Sequence, residues 1–136
     1  MATIGRLALG ALAGMAAAAG ATVAAQAPGF TALGGLERGQ WELRESGGGT
    51  RTLCLSDPAT LFQQRHRGAQ CSRVVVENSA AVATVHYSCP GSGQGRTTIT
   101  VSTPRAIRIE SSGIDGGSPF DIEVEGRHVG RCLARR

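Results

Sequence analysis

The chain has 136 residues and a formal net charge of +4, with arginine as its only strongly basic residue type. A charge of this size favours solubility and weak attraction to anionic surfaces but selects no fold. Aromatic residues make up 4% of the chain, which is too few for a stacking platform that binds single-stranded nucleic acid.

The first 25 residues have the order of a secretory signal peptide. Arg6 gives a positive start, an uncharged alanine-rich run follows, and Val23 and Ala25 occupy the small-residue positions of a cleavage site. We predict residues 1–25 as a signal peptide, cleaved after Ala25, and a periplasmic mature protein that begins at Gln26. The alternative is an N-terminal membrane anchor, which is disfavoured because alanine and glycine partition poorly into hydrocarbon.

Residues 26–39 are glycine-rich and aperiodic, which predicts a flexible lead-in. A single disulfide-bonded domain is predicted over residues 40–132, with a loose tail at 133–136. Within it, seven runs alternate apolar and polar residues, as half-buried strands do. The runs are 40–45, 51–56, 73–77, 81–88, 96–102, 105–110 and 119–126.

One short helix is predicted after the second strand. Ser56 or Asp57 can cap it, Pro58 suits its first turn, and Gly68 ends it. Consecutive strands joined by such short linkers must be antiparallel. The predicted fold is therefore mainly all-β: an antiparallel meander of about seven short strands, strongly curled or barrel-like. Trp41 and the helix are expected to fill its interior.

Four cysteines lie in the predicted mature chain, and an even number in a small exported protein predicts two disulfides. In a meander, Cys71 and Cys89 lie at the same end of adjacent strands, and Cys132 lies at the opposite end. This arrangement predicts the pairs Cys71–Cys89 and Cys54–Cys132. The alternative is Cys54–Cys71 with Cys89–Cys132, if the helix connection brings the first two cysteines together.

The sequence "GQWE" from Gly39, the four cysteines in this order and the final "GRHVGRC" form a sparse but ordered set of motifs. In these features the chain resembles the family of small exported bacterial proteins called domain of unknown function 3617. The resemblance extends from Gly39 to Cys132. It implies a periplasmic location and a β-rich fold, and it implies no activity, cofactor or catalytic residue.

Three groups of residues are candidates for a metal, catalytic or binding site. The histidines, which are His66, His86 and His128, show no metal-ligand spacing. The acids Asp121, Glu123 and Glu125 are candidates for Ca²⁺ or acid–base chemistry. Pairing with Arg108 across the strands explains that row more simply.

The third group is arginine. One cluster comprises Arg51, Arg65 and Arg67, and the C-terminal region adds Arg127, Arg131, Arg135 and Arg136. These side chains are candidates for contact with lipid head groups or phosphate, although ordinary surface charge is the favoured interpretation. No cofactor, metal site, nucleic-acid partner or stable membrane anchor after leader cleavage is predicted.

Two functions remain from the sequence, and neither is enzymatic. The first is a binding module for an apolar ligand or a protein partner, such as an envelope protein. Its interior would be lined by Trp41, Val85, Tyr87, Ile99, Ile107 and Ile122. The second is a structural or stress-related cell-envelope protein with no small ligand. A hollow interior would favour the first, and a filled one the second.

Overall fold

The computed structural model describes residues 29–133. The predicted signal peptide, residues 26–28 of the lead-in and the last three residues of the tail lie outside the described residues. In order, the elements are β1 (Gly39–Glu45), β2 (Thr50–Leu55), a 3-10 helix (Pro58–Gln63), β3 (Ser72–Asn78), β4 (Val82–Cys89), β5 (Gly93–Thr103), β6 (Ala106–Asp115) and β7 (Ser118–Gly130).

All seven strands form one antiparallel sheet in the order β2-β1-β7-β6-β5-β4-β3. Strands β3 to β7 lie side by side in chain order, as a meander predicts. Strand β1 pairs with β7, and β2 lies beyond β1, so β2 is not a neighbour of β3 as the predicted meander required. The predicted strongly curled or barrel-like sheet is wrong, because the sheet is open and has β2 and β3 as its two edges. It has no need to close, since other parts of the chain cover its apolar face.

That cover comes first from the connection between β2 and β3. The predicted helix is a 3-10 helix of six residues, capped by the Asp57 carboxylate, which accepts a hydrogen bond from the Ala59 N–H at 3.0 Å. Its Leu61 and Phe62 side chains are buried against the sheet. Because this connection crosses the apolar face, β2 and β3 lie at opposite edges instead of side by side.

The second cover is the segment that was predicted as a flexible lead-in. From Gly29 onward it is packed rather than loose: Ala32, Leu33 and Leu36 are buried in the core. The Phe30 ring lies 4.6 Å from the Phe62 ring, centroid to centroid. The Asn78 side chain holds the segment to β3, accepting a hydrogen bond from the Thr31 N–H at 2.8 Å.

Both predicted disulfides are present, Cys54–Cys132 and Cys71–Cys89. Cys71–Cys89 ties the start of β3 to the end of β4. Cys54 lies opposite Gln40 of β1, and Gln40 lies opposite Gly130 of β7. The Cys54–Cys132 bond therefore links β2 to the residues that follow β7, and it spans the start of β1, which lies between them. It lies at the opposite end of the sheet from Cys71–Cys89.

Within residues 29–133, no helix is long and apolar enough to cross a membrane.

Candidate functional site

The predicted interior is filled. All six side chains proposed as its lining are buried on the covered face of the sheet, with Trp41, Val85 and Ile99 at 0% exposure. The others, Tyr87, Ile107 and Ile122, are between 2% and 6% exposed. An internal cavity that could hold even a water molecule would give its lining atoms accessible surface. In the described part of the chain, no ligand space therefore lies beside Trp41, Val85 and Ile99.

A buried polar link lies at one end of this core. The His66 Nε2–H donates to the Ser92 carbonyl at 3.2 Å, which leaves Nδ1 to accept from the Tyr87 hydroxyl at 2.9 Å. A carboxylate oxygen of Asp115 lies 3.7 Å from Nε2. The acid, histidine and hydroxyl have the order of a catalytic relay, but His66 and Tyr87 are 4% and 2% exposed. Their role in the fold is to fix the residues after the 3-10 helix onto the sheet.

Gly95 makes this link possible. A Cβ atom at residue 95 would lie 2.6 Å from the Tyr87 hydroxyl oxygen, closer than real contacts allow. Glycine is therefore the only residue type at position 95 that leaves room for the Tyr87 ring to cross β5.

The other histidines do not converge on a site. His86 is exposed on the outer face, with Nε2 3.4 Å from an Arg96 nitrogen. His128 packs edge-on to Trp41, and its Nε2 donates to the Arg38 carbonyl at 3.1 Å. Among residues 29–133, no group of three His, Cys, Asp or Glu side chains is placed to hold a metal ion.

The row of acids on β7 is part of a solvated sheet face. Arg108 of β6 lies opposite Glu125, and its guanidinium reaches Glu123 at 2.7 Å. Asp121 is exposed opposite Ser112. The cross-strand pairing predicted for this row is present.

The arginine cluster surrounds a hollow of about 270 Å³, which we call the arginine hollow. It lies between the end of the sheet and the residues that follow the 3-10 helix. Leu43 of β1 and Ile122 and Val124 of β7 border it from below, but these core side chains are only 1–6% exposed, so the hollow is mainly polar. Its polar lining consists of Glu45, Thr50, Arg51, Gln64, Arg65, Arg67 and Asp115.

Two of the three arginines in this hollow form no ion pair among the described residues. Arg65 pairs with Glu45, its Nη2 lying 2.7 Å from a carboxylate oxygen. Arg51 and Arg67 have no ion-pair partner among the described residues. Partial burial and the nearby Arg67 charge lower the pKa of Arg51, and Glu45 opposes that effect. Like charges held together beside a hollow favour an anion that relieves their repulsion.

Gln64 adds a further unsatisfied group to the same lining. Its Nε2 donates to the Leu61 carbonyl at 3.0 Å, but its Oε1 is buried without a hydrogen-bond donor in the described structure. Leaving such an acceptor unpaired costs about 1–3 kcal/mol. A donor group that entered the hollow beside Gln64 would offset that cost.

Sequence reasoning identified the three arginines but not what surrounds them. Glu45, Asp115 and Val124 belong to strands that are distant in sequence and meet only because β1 pairs with β7. Gln64 carried no sequence signal, because a polar residue after a short helix is usually exposed.

No family model, curated protein or solved structure matches the chain significantly. The resemblance to the domain of unknown function 3617 family therefore stays a prediction.

Proposed function

We propose that the protein is an exported, periplasmic β domain that binds a small organic anion in the arginine hollow. The observation that carries the proposal is the juxtaposition in one hollow of Arg51 and Arg67, two guanidinium groups that form no ion pair among the described residues. Guanidinium groups bind phosphate and carboxylate through paired, charge-assisted hydrogen bonds.

The size and charge of the hollow narrow the ligand class. A volume of about 270 Å³ is just below the range typical of drug-sized ligands, which favours a compact molecule. Three arginines and two acids line it, so its lining is net positive. A phosphate monoester or a carboxylate on a ring or short chain satisfies both conditions.

Export is the second part of the proposal and is tested separately. The order of Arg6, the uncharged run and Val23–Ala25 supports cleavage, and the two disulfides are compatible with an oxidising compartment. We expect the intact mass of protein recovered from the periplasm to equal that of residues 26–136 with four hydrogens lost to two disulfides. Recovery of the full-length chain in the membrane fraction would contradict this prediction.

Binding is tested by calorimetric titration of the mature, disulfide-bonded protein with phenyl phosphate. We expect saturable binding that weakens as salt is added, because the contacts are electrostatic. Inorganic phosphate should also bind, because the arginines recognise the anionic group, and uncharged benzyl alcohol should not bind. Vesicles containing phosphatidylglycerol distinguish a lipid head group from a free ligand as the source of the anion.

Substitutions locate the binding. Arg51→Gln and Arg67→Gln should each weaken phenyl phosphate binding about tenfold, the effect of losing one charge-assisted contact. Arg96→Gln is the matched control, because Arg96 is exposed and lies outside the hollow. No saturable binding by the unmodified protein, or an equal loss in the Arg96 variant, would refute the proposal.

The structural or stress-related envelope protein is the second candidate. The filled core around Trp41 favours this candidate over a protein that binds a ligand between the sheet and the segments that cover it. Absence of anion binding, with normal export and folding, would make it the better proposal.

A further inference from the structure

A second hollow adjoins the arginine hollow, and we call it the adjoining hollow. Its volume is about 450 Å³, within the range of small-ligand sites. Residues of β2, of the 3-10 helix, of the turn after that helix and of β3 surround it. Arg51, Gln64 and Arg67 line both hollows. These three residues therefore form a shared wall, and its two guanidinium groups are available to a ligand on either side.

The backbone of the turn that carries Arg67 is held by several hydrogen bonds. The Gln63 side-chain amide donates to the carbonyls of His66 and Ala69, at 2.9 and 3.0 Å. The His66 N–H donates back to the Gln63 carbonyl at 3.0 Å, and the His66 ring is fixed to the Tyr87 hydroxyl. A turn that is already ordered loses little conformational freedom when a ligand binds, so less of the binding free energy is spent on ordering it.

The adjoining hollow is the more positive of the two. Three arginines and one acid, Asp57, line it, whereas three arginines and two acids line the arginine hollow. Its third arginine is Arg73, which lies opposite Tyr87 on β4 and therefore on the covered side of the sheet. The Arg73 guanidinium donates to the Ala59 carbonyl at 3.1 Å and has no ion-pair partner within residues 29–133. An anionic group in this hollow would supply the missing counter-charge.

We propose that the ligand carries two anionic groups, one in each hollow, with Arg51 and Arg67 between them and Arg73 binding the second. This inference rests on the proposed anion binding in the arginine hollow. It narrows the ligand class to organic bisphosphates or dicarboxylates, because a monoester or monocarboxylate would leave one hollow without an anion. Each anionic group would gain charge-assisted hydrogen bonds to guanidinium nitrogens.

Gln64 favours hydroxyl groups in the body that joins the two anionic groups. Its buried Oε1 lies in the shared wall and has no hydrogen-bond donor in the described structure. A fully ionised phosphate or carboxylate has no proton to donate to this oxygen, whereas a ligand hydroxyl group does. A sugar bisphosphate combines the two charges with such a hydroxyl group and is therefore a suitable probe.

Calorimetric titration of the mature, disulfide-bonded protein with fructose 1,6-bisphosphate and fructose 6-phosphate tests the proposal, because these probes differ by one phosphate group. The bisphosphate should bind at least about tenfold more tightly, the effect of one further charge-assisted contact.

Substitutions separate the two hollows. Arg73→Gln should weaken bisphosphate binding about tenfold and leave fructose 6-phosphate binding unchanged, because Arg73 lines the adjoining hollow and not the arginine hollow. Arg51→Gln should weaken the binding of both probes, since Arg51 belongs to the shared wall. Arg96→Gln is the matched control, because it removes the same charge outside both hollows, and it should change neither affinity.

The possible results distinguish this inference from the proposed function. Equal affinities for the two sugar phosphates would overturn the inference, while anion binding in the arginine hollow would stand. An equal loss for both probes in the Arg73 variant would also overturn it, because one anionic group would then account for all the binding. An equal loss of bisphosphate binding in the Arg96 variant would show a general charge effect and overturn it as well. If neither sugar phosphate nor phenyl phosphate binds, both proposals are wrong.

Discussion

Trp41 shows what one residue's sequence context can and cannot predict. Its position in an alternating run predicted a buried ring, and the ring is fully buried. Its indole N–H donates to the Glu37 carbonyl at 2.9 Å, which satisfies the one polar atom that burial would leave unpaired. That partner lies in a glycine-rich segment with no strand or helix period, so no local pattern indicated it.

Tyr87 is the only tyrosine of the chain, and its environment resists ionisation. Burial is the main cause of its raised pKa; the Asp115 charge adds to the effect, and the Ser111 hydrogen bond opposes it. The unfolded chain loses the Tyr87 proton near the ordinary pKa of about 10. The folded protein keeps the proton to higher pH. The free energy of unfolding therefore decreases once the pH exceeds the pKa of Tyr87 in the unfolded chain.

The ionisation of Tyr87 should therefore leave the free energy of unfolding unchanged below about pH 10 and should lower it above that pH. Tyrosinate absorbance reports this single residue directly. It should rise at higher pH in the folded protein than in urea-denatured protein. Coincident titration curves for the two states would show that the ring is accessible and would contradict the buried link to His66.

Tyr87→Phe separates the ionisation from the packing. This variant keeps the ring but leaves Nδ1 of His66 without its donor, so we expect a loss of about 1–3 kcal/mol at neutral pH. Its stability should lack the decline that Tyr87 causes above about pH 10. Glu42→Gln, on a half-exposed side chain of β1, is a control that should leave both quantities near those of the unmodified protein.

At the scale of elements, most strands were predictable because a buried face alternates with a solvated one. β3 is the exception: it was predicted as half-buried, but all of its residues are exposed because it is an edge strand. Every predicted strand has its counterpart, and the longest, β7, extends beyond its prediction at both ends. The C-terminal extension ends at Gly130, a residue that a pattern of side chains cannot place in a strand, and the predicted run ended at another glycine, Gly126. Gly126 is needed there because a Cβ would lie 2.8 Å from Ile107 and 2.9 Å from Leu43.

The covering elements were less predictable than the strands. The residues after Asp57 have helical capping signals, but only one short apolar stripe, so they form a 3-10 helix rather than a longer α-helix. The segment containing Leu33 and Leu36 is fixed by contacts with the sheet rather than by its own periodicity. Its only sequence signal was the apolar residues among its glycines.

At the scale of the whole molecule, the prediction that failed was the closure of the sheet. Turn chemistry indicates which neighbours in sequence pair, but nothing local indicates that β1 will pair with β7. The disulfide prediction survives this error because Cys71 and Cys89 still share one end and Cys132 still lies at the other, which left Cys54 as the partner of Cys132 by elimination. The pairing of β1 with β7 then brings the end of β2, and Cys54, to the Cys132 end. The arginine hollow depends on the long-range pairing, since residues of β1 and β7 line it side by side.

The boundary of the folded domain provides the last prediction. The sequence predicted that the domain begins at residue 40, whereas the structure places Ala32, Leu33 and Leu36 in its core. A mature protein that begins at Arg38 would lack these side chains, Phe30 and the Glu37 carbonyl that accepts from Trp41. Burying one leucine or phenylalanine contributes about 1.5–3 kcal/mol, so losing three costs about 5 kcal/mol or more.

A loss of that size approaches the whole stability of a small domain, about 5–15 kcal/mol. We therefore expect the truncated protein to be largely unfolded at 25 °C, by circular dichroism and by a red-shifted Trp41 fluorescence spectrum. The matched control ends the chain after Cys132, removing Leu133, which is 82% exposed, and the three residues beyond it. It should unfold at the same urea concentration as the complete mature chain. If the protein that begins at Arg38 also unfolds at the urea concentration of the complete mature chain, the prediction is wrong. The segment before β1 would then contribute no net stability, and the domain would begin at β1.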